Sequence, residues 1–333
     1  MRDLELKGHK AEVWVVDNRS VDGSCAMVRE QFPEVHLLAL DENMGFSKGN
    51  NRAIEQCNGR WVLLLNPDTV IPENALSKCL AYAESSPDLG GMGVPMVDGM
   101  GRFLPESKRG MPTPWAAFCK ISGLYKLAPK TKKLNQYYMG HLDPDENHCI
   151  EILSGAFMWM RKEALDQVGL LDEAYFMYGE DIDLSWRLLK GGWKNHYFAD
   201  TSIIHYKGES TKKGSLNYVL VFYKAMQIFA RTHFSGGQVR ALLGLIQLAI
   251  YFRATLAIAT RAFNVIKLPA LEFGLLWAAL LVFLEQYGAY QQILYDWSWA
   301  MPAAGINAVK RMGRRPCIAF QNEGTENATI TNA

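Results

Sequence analysis

Cysteine is scarce and never paired in sequence. Cys25, Cys57, Cys79, Cys119, Cys149 and Cys317 are widely scattered, with no Cys-x-x-Cys spacing. That excludes a zinc ribbon or a dithiol redox motif, and reduced thiols of a cytosolic compartment are expected. Neither sign of charge dominates. Lys and Arg number 35 against 34 Asp and Glu, for a net charge of +1, so no whole-chain basic field points to nucleic acid. Residues 1–10 are charged and lack an apolar core, so no secretory signal is expected there. Without such a signal, the sequon at Asn327-Ala328-Thr329 reads as chance. No glycine-rich phosphate loop follows the first strand candidate, which argues against a nucleotidyl transfer site.

What is present reads as globular, with hydrophobic residues near half of the chain at 49%. Glu12–Asp17 is a short apolar run ending in an acid, and a turn and helix to Gln31 follow. The same grammar recurs. Val35–Leu40 leads through a polar loop to a helix at about 47–57, and Trp61–Leu65 ends in Asn66-Pro67-Asp68 before a helix at about 73–84. Gly93–Val97 is a fourth strand candidate. Apolar strands without a polar face, alternating with helices, predict an α/β fold built on one Rossmann-like, mostly parallel sheet. Ligands in such sheets bind beyond the carboxyl ends of the strands. Asp17, the segment Asn43 to Asn51 and Asp68 all fall there, which suggests a nucleotide-type site.

The densest chemistry lies at Gly179-Glu180-Asp181-Ile182-Asp183. Ile182, Ser185, Trp186 and Leu189 follow at helical spacing, and Gly191-Gly192 closes the segment. Acids on a first turn complement the helix dipole, which is one sufficient reason for them. Successive residues step by roughly 100° around a helix, so Asp181 and Asp183 point to nearly opposite sides while Glu180 and Asp183 share a face. A single carboxylate aimed into a cleft is what a general base requires.

Asn66-Pro67-Asp68 is by itself a turn former. With Asp17 at a neighbouring strand end, Asp68 also suits a hard cation, which takes one or two carboxylates plus substrate phosphates. His205 ends an extended stretch. The loop after it, with Lys207, Ser210, Lys212 and Lys213, offers donors for phosphate oxygens or is simply a solvated basic loop. Ile150–Met160 reads as a strand containing Ser154-Gly155. Residues 101–148 are rich in Pro, Gly and Lys with interspersed aromatics, as a functional loop or a peripheral decoration is.

Three regions are expected: a catalytic domain over 1–235, an apolar helical pair over 236–295 and an irregular tail over 296–333. The pair, Ala241–Ala262 and Leu268–Tyr290, has basic flanks at Arg231, Arg240, Arg253, Arg261 and Lys267. Membrane association is expected, by spanning or by interfacial helices, with a buried helical pair as the alternative.

Together these segments resemble family 2 glycosyltransferases, the inverting enzymes with an A-type fold, in their rhamnosyltransferase-like branch. The resemblance runs through Val16–Ser24, Asn43–Asn51, Asn66-Pro67-Asp68, Ser154-Gly155-Ala156-Phe157, Gly179–Arg187 and His205–Thr211, covering about residues 11–235. It implies metal-assisted, inverting transfer from a nucleotide-sugar donor to a hydroxyl of a lipid-linked or polysaccharide acceptor. That chemistry would serve cell-surface glycan synthesis at the cytoplasmic face of the cell membrane. Asp181 would be the base, and Asp17, Asn18, Asn43, Gly45, Asn50 and Asn51 would line the nucleotide site. Asp68 and His205 would serve Mg²⁺ or Mn²⁺. Glu180, Asp183, Ser154, Gly155, Trp186, Lys207 and Ser210 would support acceptor or diphosphate.

Two departures accompany the resemblance. The family's opening strand has no counterpart, so the catalytic domain is expected to be incomplete at its N-terminus, and the metal motif lacks its first acid. A catalytically impaired membrane-associated scaffold retaining the fold is therefore the alternative function.

Overall fold

The computed structural model describes Leu4, residues 7–206 and residues 216–300. The first part of the chain alternates as its apolar runs predict. Strand β1 (Trp14–Asp17) is followed by α1 (Ser24–Gln31), β2 (His36–Ala39), α2 (Gly45–Ile54), β3 (Trp61–Leu65) and β4 (Thr69–Val70). Helix α3 (Ala75–Ser85) leads to β5 (Leu89–Gly93) and β6 (Met96–Val97), and α4 (Pro114–Ser122) lies in the long segment that follows. Then come β7 (His148–Ile150), β8 (Phe157–Arg161), α5 (Lys162–Val168), α6 (Glu180–Lys190), β9 (Lys194–Tyr197) and β10 (Ile203–His205). Two helices complete the description, α7 (Leu216–His233) and α8 (Gly236–Ala300).

The α/β architecture is present, with its strands divided among three sheets. Five strands form the order β3–β8–β5–β9–β7, three form β4–β10–β6, and β1 pairs with β2 alone. The parallel pairs are β1–β2, β5–β9 and β6–β10. Every antiparallel pair has a strand from residues 148–205 on one side. Among the described residues no strand joins β1 to β3, so the sheet is discontinuous there.

Burial explains why the central strands carry no polar face. On β3 and β8, Trp61, Leu63, Phe157 and Trp159 turn to one core, shared with Cys79, Leu80 and Ala83 of α3. The alternate residues Val62, Leu64, Met158 and Met160 turn to the other, against Ala164 and Leu165 of α5 and Leu184 and Leu188 of α6. Side chains alternate across a strand, so apolar residues at every position require cover on both faces.

Two expectations change in detail. The single strand at 150–160 is broken by a turn at Ser154-Gly155, where the Phe157 N–H donates to the Ser154 carbonyl at 3.1 Å. The apolar pair at the C-terminal end is one continuous helix, α8, with Pro269 inside it. Between the two predicted stretches lie Phe263-Asn264-Val265-Ile266-Lys267, which contain no Gly or Pro to end a helix.

The chain divides into two compact units, Met1–Arg253 and a second that begins at Ala254. In the second unit, Phe263–Gln292 is long and apolar enough to cross a membrane, with mean hydropathy 1.9.

Candidate active site

The site is built around the start of α6. Tyr178 and Gly179 adopt positive φ in succession, 68° and 88°. A Cβ on Gly179 would approach the Tyr175 ring to 3.0 Å, so both conformation and space favour glycine here. This sharp entry delivers Glu180, Asp181 and Asp183 to the first turn, in three different environments.

Asp181 keeps partial exposure and collects three donors. Its Oδ2 accepts from the Arg109 guanidinium and from the Gly155 N–H at 3.2 Å, and its Oδ1 accepts from the Ile182 N–H at 2.8 Å. The predicted residues Gly155 and Asp181 are thus brought together across 26 positions. A Cβ on Gly155 would stand 3.6 Å from that of Asp181, so the approach is close. Ser154 contributes its carbonyl to the turn that sets Gly155 in place.

Arg109 is a functional residue that sequence reasoning missed. Its main chain bridges to Ile152, whose N–H donates to the Arg109 carbonyl at 2.9 Å. Its guanidinium also donates to the Leu153 carbonyl. Burial alone would lower its pKa. The Asp181 carboxylate and Tyr137 outweigh that and raise it, so its positive charge is secure. No local pattern in Lys108-Arg109-Gly110 signals this partner, 72 positions away.

Asp183 and Glu180 turn inward. The Asp183 carboxylate takes the Arg187 Nε–H at 2.8 Å and lies 2.5 Å from His233 Nε2 on α7. Arg187 also donates to the carbonyls of Val168, Gly169 and Leu170. Asp183 therefore ties α6 to the preceding loop and to α7, away from the substrate support expected of it. The α6 apolar stripe is correspondingly wider than its periodicity suggested, because sheet and α7 cover it from two sides. Glu180 is buried, and among the described residues no donor reaches its Oε2. Burial, with Asp181 alongside, pushes its carboxyl up to about 8. Trp186 packs at the edge of the α6–α7 cluster with the Lys190 ammonium 5.0 Å from its ring centroid, as a framework residue.

Asp68 and His205, which the resemblance assigns to one metal, lie together in the structure. His205 pairs with Thr69 in the β4–β10 register, which brings its Nε2 to 3.3 Å from Asp68 Oδ1. Among the described residues that buried carboxylate oxygen has no partner of hydrogen-bond geometry beyond this approach. One carboxylate and one imidazole fit a dication that takes its remaining ligands from phosphates and water. Among the described residues no group of three or more such side chains converges.

The nucleotide-side residues divide. Asp17 accepts from the Ser20 N–H at 2.9 Å. Burial would raise its pKa, but hydrogen bonds from Ser20, Cys25 and the Arg19 backbone outweigh that and hold the carboxyl below its usual range. Beside it, a cleft of about 500 Å³ is lined by residues that include Arg19, Leu40, Asp41, Glu42, Met44 and Arg52. The Asn18 amide is spent on main chain, donating to the Gly45 carbonyl at 3.1 Å and accepting from the Met44 N–H at 3.3 Å. Asn43 accepts from the Gly45 N–H, and Asn50 donates to the Phe46 carbonyl. Asn51 is buried, with both ends of its amide on Leu171. These contacts commit the Asn18 and Asn51 amides to main chain, where the resemblance assigned them to the nucleotide. Lys207 and Ser210 lie outside the described residues.

A family model described as "Glycosyltransferase like family 2" matches residues 7–217. The chain belongs to that family. This glycosyltransferase is 29% identical over 235 residues to the N-acetylglucosaminyl-diphospho-decaprenol L-rhamnosyltransferase of Mycobacterium tuberculosis, covering 67% of this chain and 76% of that one. It is 26% identical to the low-salt glycan biosynthesis hexosyltransferase Agl10 of Haloferax volcanii, over 53% of each chain. Among solved structures, the mannosyltransferase PcManGT of Pyrobaculum calidifontis, in complex with GDP-Man and Mn²⁺, superposes with a TM-score of 0.43 at 16% identity. That superposition covers 75% of this chain and 70% of that one.

Proposed function

We propose that this glycosyltransferase transfers a sugar, with inversion, from a nucleoside-diphosphate donor to a hydroxyl of a lipid-linked or polysaccharide acceptor, with Asp181 as the base. The observation that carries the reading is the Asp181 carboxylate. A carboxylate offers about four lone-pair sites. Arg109 and Gly155 take those of Oδ2, and Ile182 takes one of Oδ1. Among the described residues no donor takes the second direction on Oδ1, which is left for an acceptor hydroxyl. As that oxygen forms its bond to the anomeric carbon, its proton passes to Asp181. The bond to the diphosphate breaks on the opposite face, so configuration inverts.

Asp17, at the end of β1 beside the cleft, is assigned the nucleoside. Asn43, Gly45 and Asn50 shape the turn that faces it. Asp68 and His205 would hold Mg²⁺ or Mn²⁺, which neutralises charge on a leaving diphosphate. The lipid-linked acceptor is suggested by the name of the mycobacterial relative, and the apolar stretch Phe263–Gln292 supports a membrane location, for which we assign the cytoplasmic face. The sheet discontinuity between β1 and β3 favours one other reading, a catalytically impaired membrane-associated scaffold retaining the fold. Calorimetry with nucleoside diphosphates and Mn²⁺ separates the two, since the impaired protein gives no binding heat.

Asp181→Asn is expected to lower kcat by about 10²–10⁴-fold, the range for general-base catalysis, with nucleoside diphosphate affinity unchanged. Parental turnover in that variant would remove Asp181 from the mechanism.

A further inference from the structure

From Ser107 to Leu142 the chain carries seven Lys or Arg and no Asp or Glu, against a net charge of +1 for the whole. Two of the seven, Lys108 and Arg109, are internal: Lys108 donates to the Met139 and Leu142 carbonyls, and Arg109 serves Asp181. Four others, Lys126, Lys130, Lys132 and Lys133, are exposed. Two of the exposed positions of α4, Trp115 and Phe118, are aromatic, and Leu127 lies just beyond the helix. Trp115 and Phe118 are 44% and 40% exposed and Leu127 is 78% exposed, while Ala116 and Cys119 fill the buried side of the helix.

The aromatics of α4 adjoin the lysine-rich stretch at Lys133. The Trp115 indole N–H donates to the Lys133 carbonyl at 2.8 Å, and the Trp115 and Phe118 rings lie 5.7 Å apart. Thr113 caps α4 by accepting from the Ala116 N–H at 3.2 Å, and Gly123 ends it at φ 78°. The rings are therefore carried on a defined helix. Exposed Trp, Phe and Leu bordered by lysines form the combination that an anionic bilayer surface takes up: rings enter the headgroup region and ammonium groups meet phosphates.

We propose that α4 and the lysine-rich stretch to Lys133 form a docking surface for an anionic lipid bilayer, separate from the apolar segment of α8. The surface is tied to the active site. The Lys120 ammonium sits 3.6 Å from the Tyr137 ring centroid, the Tyr137 carbonyl accepts from the N–H of Gly110 at 3.0 Å, and its neighbour Arg109 holds Asp181. Docking would present the base to acceptors held in the same bilayer. That consequence rests on the function proposed above; the docking does not.

The test is amide hydrogen exchange on the full chain in vesicles of phosphatidylcholine, with and without phosphatidylglycerol. Residues 113–133 are expected to exchange roughly fivefold more slowly, or slower still, when phosphatidylglycerol is present, about the effect of one engaged lysine. High salt should abolish the difference. The triple variant Lys130→Glu, Lys132→Glu, Lys133→Glu should lose it, with unchanged exchange in Glu180–Lys190 showing that the fold persists. Trp115→Ser with Phe118→Ser is a second variant expected to weaken it. Equal exchange of 113–133 with and without phosphatidylglycerol overturns the proposal. Because exchange is read without turnover, that result would leave the assignment of Asp181 intact.

Discussion

Replacing Asp183 by asparagine separates a structural carboxylate from a substrate-binding one. Asp183 is 1% exposed on its side chain and accepts from Arg187 while lying against His233. Asparagine keeps the shape but removes the charge, and its amide nitrogen confronts a donor on one side. Breaking one partner out of a buried ion pair costs about 3–5 kcal/mol. In a domain of this size each kcal/mol moves the melting temperature by about 2–4 °C, so a fall of roughly 6–20 °C is expected.

The pH dependence gives the sign. Burial would raise the Asp183 pKa, but the His233 contact and Arg187 outweigh it and lower it. A carboxyl depressed in the folded state stabilises fully above its unfolded pKa of about 3.9, and that stability is lost as pH falls through the folded value. The gap between parent and Asp183→Asn should therefore be full near neutrality and close only in acid. Circular dichroism melts in detergent, with donor affinity measured on the same samples well below the transition, provide the assay. An unchanged melting temperature accompanied by lost donor or acceptor binding would refute the framework role.

Glu180→Gln should flatten the pH dependence of stability. Its carboxyl is pushed up to about 8, so the parent is more stable below the unfolded value of about 4.3 and loses stability, on the order of a few kcal/mol, as pH climbs towards 8. Denaturant midpoints across that window check this, and an unaltered slope in the variant counts against it. Gly45→Ala would set a Cβ 2.4 Å from the Phe176 carbonyl oxygen at a φ of 83°. A loss of about 1–3 kcal/mol with a raised donor KM is expected, read by melting and by initial rates. Arg109→Gln should lower kcat by about tenfold or more, with Arg109→Lys recovering part of it through charge alone. Equal rates in parent and Arg109→Gln would show that Asp181 needs no such partner.

Local features were legible wherever a residue's surroundings are set by its sequence neighbours. The apolar runs of β1, β2 and β3, the acids at their ends and the helix start at Glu180 all follow from period, caps and turn formers. Other features depend on contacts between distant segments, and no short pattern carries these. Arg109 reaches Asp181 across 72 positions, and His233 reaches Asp183 across 50. Asn51 illustrates the difficulty from the other side. Its place in an asparagine-rich turn at a strand's carboxyl end suggested a ligand, yet burial commits its amide to Leu171. A polar side chain in such a turn can face substrate or satisfy main chain, and the sequence is the same in both cases.

That commitment has a consequence for how the two halves of the site act together. Asn51 holds Leu171 by two hydrogen bonds, and its amide also reaches Glu173 Oε1 at 3.3 Å. Five residues earlier, the Phe46 N–H donates to the Phe176 carbonyl at 2.7 Å. Two and three residues beyond Phe176, at Tyr178 and Gly179, the backbone makes its left-handed turn into Glu180 and Asp181. The turn and helix at 43–51, which border the nucleotide cleft, therefore grip the segment that sets the entry angle of α6. Buried hydrogen bonds of this kind are costly to leave unmade, so neither side can shift alone. A substitution on the nucleotide side that frees this segment should lower turnover through Asp181 even when the donor still binds. Asn51→Ala tests that coupling most directly, because Asn51 is buried and its amide is committed to the segment.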